Sequence, residues 1–250
     1  LPHTGSLIID DIEDGADLRR GEPAAHISHG LDLAINAGNL FYFLPRKCIL
    51  QAQLESRIEL LVYRFYLEAM EHLHYGQGLD ILWHQDPDWI PDVNEYIQMC
   101  NQKSGSLSGL ATGIGAALSA LSEAQMRALH QFGKELGVCF QIIDDVRNLT
   151  TGNPGKIQGD DIIEGKKSLP VILYCQRDKA SRRRLTALLA ACSQTDTRET
   201  LVKEAIQLMN SAGVVELARE IAYKRYLETM ENIELLMEWG DRAEWSDLKE

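Results

Sequence analysis

Apolar residues recur at three- and four-residue intervals through most of this chain, the spacing that keeps them on one face of an α-helix. The longest run, LESRIELLVYRFYLEAMEHLHYGQGLDILW, extends from Leu54 to Trp83. At about 30 residues it is long for one globular helix. The run SEAQMRALHQFGKELGVCFQIIDDVRNL opens on Ser122, a good N-cap, and Gln125 completes a capping box. TRETLVKEAIQLMNSAG ends on Gly213, a C-cap candidate. VELAREIAYKRYLETMENIELLMEW follows, with i,i+4 charge pairs on its outer face. The breaks RRGEPAAH, HQDPDWIPD, TTGNPGKIQGDD and CSQTDTRE are rich in Gly, Pro, Asp or Thr. Period-two alternation between turn residues, the strand signature, is nearly absent. No internal repeat shows at periods of about 30 to 45 residues. The pattern predicts one all-α domain over residues 1–250, a bundle of long antiparallel helices.

Composition narrows the chemistry. Hydrophobic residues make up 45% of the 250, enough for a sizeable core. A net charge of -12 argues against nucleic acid as a partner, because phosphate-binding surfaces of that kind are basic. Small anions stay open, since a metal or a local cation cluster reverses the field within one cleft. The five cysteines, at 48, 100, 139, 175 and 192, include no C-x-x-C pair and read as reduced thiols of a cytoplasmic protein. No segment reaches the roughly 18 apolar residues of a membrane span, and no signal peptide is visible. Leu1 is not a methionine and an acidic motif follows within the first turns, so an upstream part is expected to be missing.

That motif is LIIDDIEDGADLRRG. On a helix, residues i and i+4 stack on one face and i+1 lies about 100° round, so Asp10, Asp11 and Asp14 share one side. The pattern returns in FQIIDDVRNL, where Asp144, Asp145 and Asn148 keep the same spacing after another apolar run. Clustered carboxylates repel unless cations balance them, and all-oxygen sites suit Mg²⁺, with phosphate oxygens and water completing the octahedron. Two solvated acidic helix ends are the plain alternative. The cations weigh against it. Arg19 and Arg20 follow the first cluster directly, and guanidinium forks suit phosphate oxygens. Lys103 and Ser104 sit in QKSGSL, which reads as a helix entry, and Lys156, Lys166 and Lys167 lie just past the second cluster. Singly each lysine is a surface residue; as a set they outline a polyphosphate–Mg²⁺ site. His72 and His74 do not share a helix face and are poor zinc ligands. No nucleotide-binding glycine loop or G-x-S-x-G appears.

These motifs, in this order, resemble the trans-isoprenyl diphosphate synthases (polyprenyl synthetases), most closely the animal and fungal type of geranylgeranyl diphosphate synthase. SLIIDDIEDGADLRRGEPAAH looks like the first aspartate-rich motif, FQIIDDVRNL like the second, QKSGSL like a K-T-G motif and GDDIIEGKKSLP like a D-x-x-E-G-K-x-S-x-P tail. The resemblance implies an isoprenoid synthase fold, a homodimer, three Mg²⁺ ions, and condensation of isopentenyl diphosphate with an allylic diphosphate, farnesyl diphosphate in particular. It implies that Asp10, Asp11, Asp14, Asp144 and Asp145 bind metal. Arg19, Lys103, Lys156 and Lys166 would hold the allylic diphosphate, Arg20 the isopentenyl diphosphate, Ser104 would be a further substrate-binding residue, and Gln141 would sit near the allylic group. Asn148 stands where many relatives carry an aspartate, as in the animal and fungal type. The family's N-terminal helices, with a G-K-x-x-R-P segment for isopentenyl diphosphate, are not in this sequence. Small Gly5 and Ser6 ahead of Asp10 imply a product longer than fifteen carbons, with Tyr42, Phe43 and His74 as the pocket floor and twenty carbons as the product. A class I terpene cyclase, a non-catalytic partner subunit and an acidic helical scaffold are the competing expectations.

Overall fold

The computed structural model describes residues 1–119, 121–152, 158–192 and 198–236. The fold is all-α, as the periodicity predicts. In chain order the helices are α1 (Pro2–Glu13), α2 (Ala25–His29), α3 (Leu31–Phe43), α4 (Pro45–Gln51), α5 (Ser56–Gln85), α6 (Val93–Cys100) and α7 (Ser106–Ala117). They continue with α8 (Glu123–Leu149), α9 (Asp160–Glu164), α10 (Leu169–Cys175), α11 (Lys179–Cys192), α12 (Arg198–Ser211) and α13 (Val214–Leu236). Helix α8 packs against both α7 and α13, α5 against α7, and α1 against α3.

The caps fall where the side-chain chemistry puts them. Ser122 and Gln125 exchange the two bonds of a capping box at the start of α8, satisfying two otherwise orphan N–H groups. Gly213 takes a φ of 73° after α12, open only at a cost to residues with a Cβ. Buried residues of α8 include Val138, Ile142, Val146 and Leu149, at the three- and four-residue spacing of one face. They join Trp83, Tyr96, Leu169, Ile172, Leu185 and Met209 in the largest apolar core. Each such aliphatic side chain, fully removed from water, contributes about 2 kcal/mol.

Two local features were not in the periodicity. Helices α6 and α7 are one continuous rod, interrupted by a π-helical segment over Asn101–Gly105. QKSGSL is therefore a mid-helix bulge rather than a helix entry, a device common at functional sites. It is pressed from both sides: a Cβ on Gly76 of α5 would overlap the Lys103 backbone, and one on Gly137 of α8 would lie 2.7 Å from Gly105 Cα. The RRGEP break is a small antiparallel ribbon, β1 (Leu18–Arg19) paired with β2 (Glu22–Pro23). Its turn residues Arg20 and Gly21 have φ of 57° and 82°, the two consecutive positive values that match the twist of a tight hairpin.

Candidate active site

The ribbon folds back on the helix it follows. Arg19 Nε donates to Asp11 Oδ1 at 2.8 Å, its Nη2 contacts the same oxygen, and Nη2 reaches Asp10 Oδ2 at 3.4 Å. The π segment supplies the next cation: Lys103 Nζ lies 2.6 Å from Asp80 Oδ2 and 3.3 Å from Asp10 Oδ1. The turn before α10 supplies a third, with Lys166 Nζ 2.6 Å from Asp14 Oδ2 and 2.7 Å from Glu164 Oε2. Gln77 of α5 donates to Asp10 Oδ1 at 3.0 Å and to Glu13 Oε2 at 2.7 Å. Four separate parts of the chain thus converge on the C-terminal end of α1.

A cavity of about 740 Å³ opens beside this cluster. Its polar end carries Asp10, Glu13, Arg19, Arg20, Asp80, Asp144, Asp161 and Lys166, and its walls include Leu73, Met99, Leu107 and Phe140. Asp144, Asp145 and Gln141 reach it from α8, so the two acidic motifs line one cavity across the bundle. Ser104 Oγ donates to Gln141 Oε1 at 2.6 Å, joining the π segment to α8.

The charges set the titration. Burial alone would raise the Asp10 carboxyl, but Lys103, Lys166 and Arg19, with the Gln77 bond, hold it well below the usual carboxylate range. Asp80 is held low in the same way, burial being outweighed by Lys103 and Lys166. Lys166 is raised well above a free lysine, because Asp14 and Asp161 outweigh its burial. Asp14 goes up: burial, with Asp10 and Glu164 nearby, exceeds what Lys166 offers. Asp145 is pushed up to about 6 by burial, against hydrogen bonds from Tyr96, Gln141 and the Leu169 N–H.

This donor set suits a hard divalent cation. Asp10 is ionised and borders the cavity with Asp144. Among the described residues no three carboxylate, imidazole or thiol groups are gathered tightly enough to hold an ion alone. Mg²⁺ is typically held by one or two carboxylates together with substrate phosphate and water.

Most sequence-predicted residues meet here, and some do not. Ser6, Tyr42 and His74 line the cavity, with the Tyr42 and His74 rings 5.2 Å apart edge-on. Phe43 is 73% exposed and is not among the lining residues. Gly5 is buried against α3, where a Cβ would lie 2.8 Å from Gly38 O, so its smallness serves helix packing. Asp11 and Asp14 are turned into their cation partners rather than into the cavity. Lys156 lies outside the described residues. Gln77, Asp80, Glu13, Asp161 and Tyr96 were missed. Asp80 did leave a signal, since it falls on the buried stripe Leu73, Gly76, Asp80, Trp83 of α5, where an unpaired charge is costly.

An all-helical bundle with two acidic motifs facing across a cation-rimmed, apolar-walled cavity has the geometry to hold a metal-bound anion with an apolar tail. Comparison with known proteins gives the family. The polyprenyl synthetase family model matches residues 1–209, and the chain belongs to this family. It is 32% identical over 236 residues to a geranylgeranyl pyrophosphate synthase of Mucor circinelloides f. lusitanicus, covering 94% of this chain and 73% of that one. It is 34% identical over 252 residues to one of Penicillium canescens, spanning the whole of this chain and 70% of the relative. A third, from Apiospora sacchari, is 37% identical over 221 residues, which span 88% of this chain and 62% of the relative. Among solved structures, the geranylgeranyl pyrophosphate synthetase of Pyrococcus horikoshii Ot3 superimposes with a TM-score of 0.83 at 28% identity, covering 93% of this chain and 70% of that one.

Proposed function

We propose that the chain is a trans-prenyltransferase that condenses isopentenyl diphosphate with an allylic diphosphate, farnesyl diphosphate in particular, to give geranylgeranyl diphosphate. The observation that carries this reading is the placing of Asp10 and Asp144 on one cavity rimmed by Arg19, Lys103 and Lys166 and walled by apolar residues. The names of the Mucor, Penicillium and Apiospora relatives support the product.

Asp10 and Asp144 would hold Mg²⁺, three ions in all, together with the diphosphate oxygens. Mg²⁺, when bound, withdraws charge from the leaving diphosphate. Arg19, Lys103 and Lys166 stabilise the negative charge that develops there as the C–O bond breaks. Leu73, Met99, Leu107 and Phe140 take the hydrocarbon and keep water from the allylic cation. Arg20 orients isopentenyl diphosphate, whose double bond attacks the allylic carbon. A proton then leaves to the released diphosphate. The chain supplies position and field and no covalent nucleophile. Ser6 leaves the cavity open past the first aspartates, and the Tyr42–His74 pair closes its floor.

The working unit in this reading is a homodimer. Leu60, Leu67, Tyr75 and Leu82 stand exposed along one face of α5, with Leu33 and Leu40 exposed on α3, apolar side chains that a second copy would cover. The five free cysteines support a reducing, cytoplasmic setting, and among the described residues no helix is long and apolar enough to cross a membrane.

The test is product analysis. The full-length protein with Mg²⁺, isopentenyl diphosphate and farnesyl diphosphate should form a twenty-carbon diphosphate, and chelation should abolish it. Absence of elongation overturns the reading, and hydrocarbon formed from the allylic diphosphate alone replaces it with a cyclase.

A further inference from the structure

Asp145 is placed differently from the other carboxylates of the site. It is 4% exposed, and its carboxylate accepts three hydrogen bonds from within the protein. Tyr96 Oη donates to Oδ2 at 2.7 Å, the Leu169 N–H to the same oxygen at 3.0 Å, and Gln141 Nε2 to Oδ1 at 3.1 Å. A carboxylate has about four lone-pair positions, so little remains for a metal. The chain of bonds continues from Gln141 Oε1 to the Ser104 hydroxyl at 2.6 Å. Tyr96 itself is 1% exposed on α6.

This one network therefore joins three of the segments that present charged groups to the cavity. Ser104 adjoins Lys103 in the π segment, Asp145 adjoins Asp144 on α8, and Leu169 begins α10 just after Lys166. These three segments have no covalent reason to keep register, because tens of residues separate them. A buried, fully partnered polar network is stiff, and breaking one member strands the others.

We infer that Tyr96 and Asp145 are positioning residues for the prenyl transfer, Asp145 acting as the hub that fixes Lys103, Asp144 and Lys166 relative to one another rather than as a metal ligand. The role rests on the function proposed above. Metal affinity should then follow Asp144, while turnover follows the network.

The experiment measures kcat and the Mg²⁺ concentration for half-maximal rate in Tyr96→Phe, Asp145→Asn, their double variant and Asp144→Asn, each checked for folding by circular dichroism. Tyr96→Phe should lower kcat about tenfold to a hundredfold, the range for outer-shell positioning groups, with the Mg²⁺ midpoint within about twofold of wild type. Asp145→Asn should behave alike, and the double variant should lose little more, since both break one network. Asp144→Asn should shift the Mg²⁺ midpoint upward by at least about tenfold. An unimpaired Tyr96→Phe enzyme, or an Asp145→Asn midpoint displaced as far as that of Asp144→Asn, overturns the positioning role alone. A full-length wild-type protein that transfers no prenyl group overturns the functional reading and this role with it.

Discussion

Asp10, first in its acidic motif, and Asp145, second in a motif of the same spacing, border the same cavity, yet opposite surroundings hold them. Around Asp10 the partners are cations, Arg19, Lys103 and Lys166, and its proton is lost far more readily than from a free carboxyl. Around Asp145 the donors are neutral, and burial pushes its pKa up to about 6. The matching third positions, Asp14 and Asn148, diverge as well in their surroundings. Asp14 is paired with Lys166, whereas Asn148 is fully buried, its side-chain oxygen and nitrogen without hydrogen-bond partners among the described residues. Equal spacing on a helix decides which residues share a face. It does not decide whether that face meets charge or core.

The largest effect that separates the motifs is catalytic. Asp10→Asn and Asp144→Asn should each lower prenyl transfer by about a thousandfold, the scale of removing a charge-stabilising group from a dry site, measured by product formation at saturating substrate. Equal rates in either variant would break the comparison at its first step.

The next effect is on stability. Lys103→Met strands Asp80, which is 7% exposed, without the ammonium 2.6 Å away. Breaking a buried pair from one side costs about 3 kcal/mol or more, read as a lower urea midpoint. The corresponding change at the second motif, Tyr96→Phe, removes a neutral donor and should cost about 1 to 2 kcal/mol.

The pH dependence of stability sharpens the contrast, because the signs differ. Asp10 and Asp80 have folded pKa values below their ordinary ones. They bind fewer protons folded than unfolded, so their contribution is present above the ordinary carboxylate range and is lost as pH falls through it. Asp145 has a folded pKa raised from 3.8 to about 6. It binds more protons folded, so it favours folding as pH drops from about 6 toward 4 and opposes it above. In metal-free buffer, Asp145→Asn should remove a segment of stability that falls with rising pH across this window, while Asp80→Asn should remove a segment that rises from lower pH. The same slope lost in both variants would contradict the assignment. The smallest effect is expected at Asn148. Asn148→Ala should leave the Mg²⁺ midpoint within about twofold and change stability by about 1 kcal/mol or less, since no bond is lost.

Much of this was legible in the sequence. The apolar period located α5, α8, α12 and α13, and Ser122 and Gly213 marked helix ends, because those signals are local. The paired aspartate motifs and Lys103 and Lys166 were legible from type and spacing. What was not legible depends on tertiary contact. Asp145 looks like Asp144 until Tyr96, 49 residues away, is found donating to it. Phe43 looks like a pocket floor beside Tyr42, but successive helix positions point about 100° apart, and it faces outward. The π segment is invisible to a 3.6-residue period, as is the turn at Arg20 that returns Arg19 to Asp11.

The central claim is that both motifs hold one Mg²⁺–diphosphate group, and calorimetric titration of inorganic diphosphate into the protein tests it most directly. Binding should require Mg²⁺, weaken sharply in Asp10→Asn and in Asp144→Asn, and fall little further when both are changed. Diphosphate binding of equal strength without Mg²⁺, or undiminished in Asp144→Asn, would contradict it.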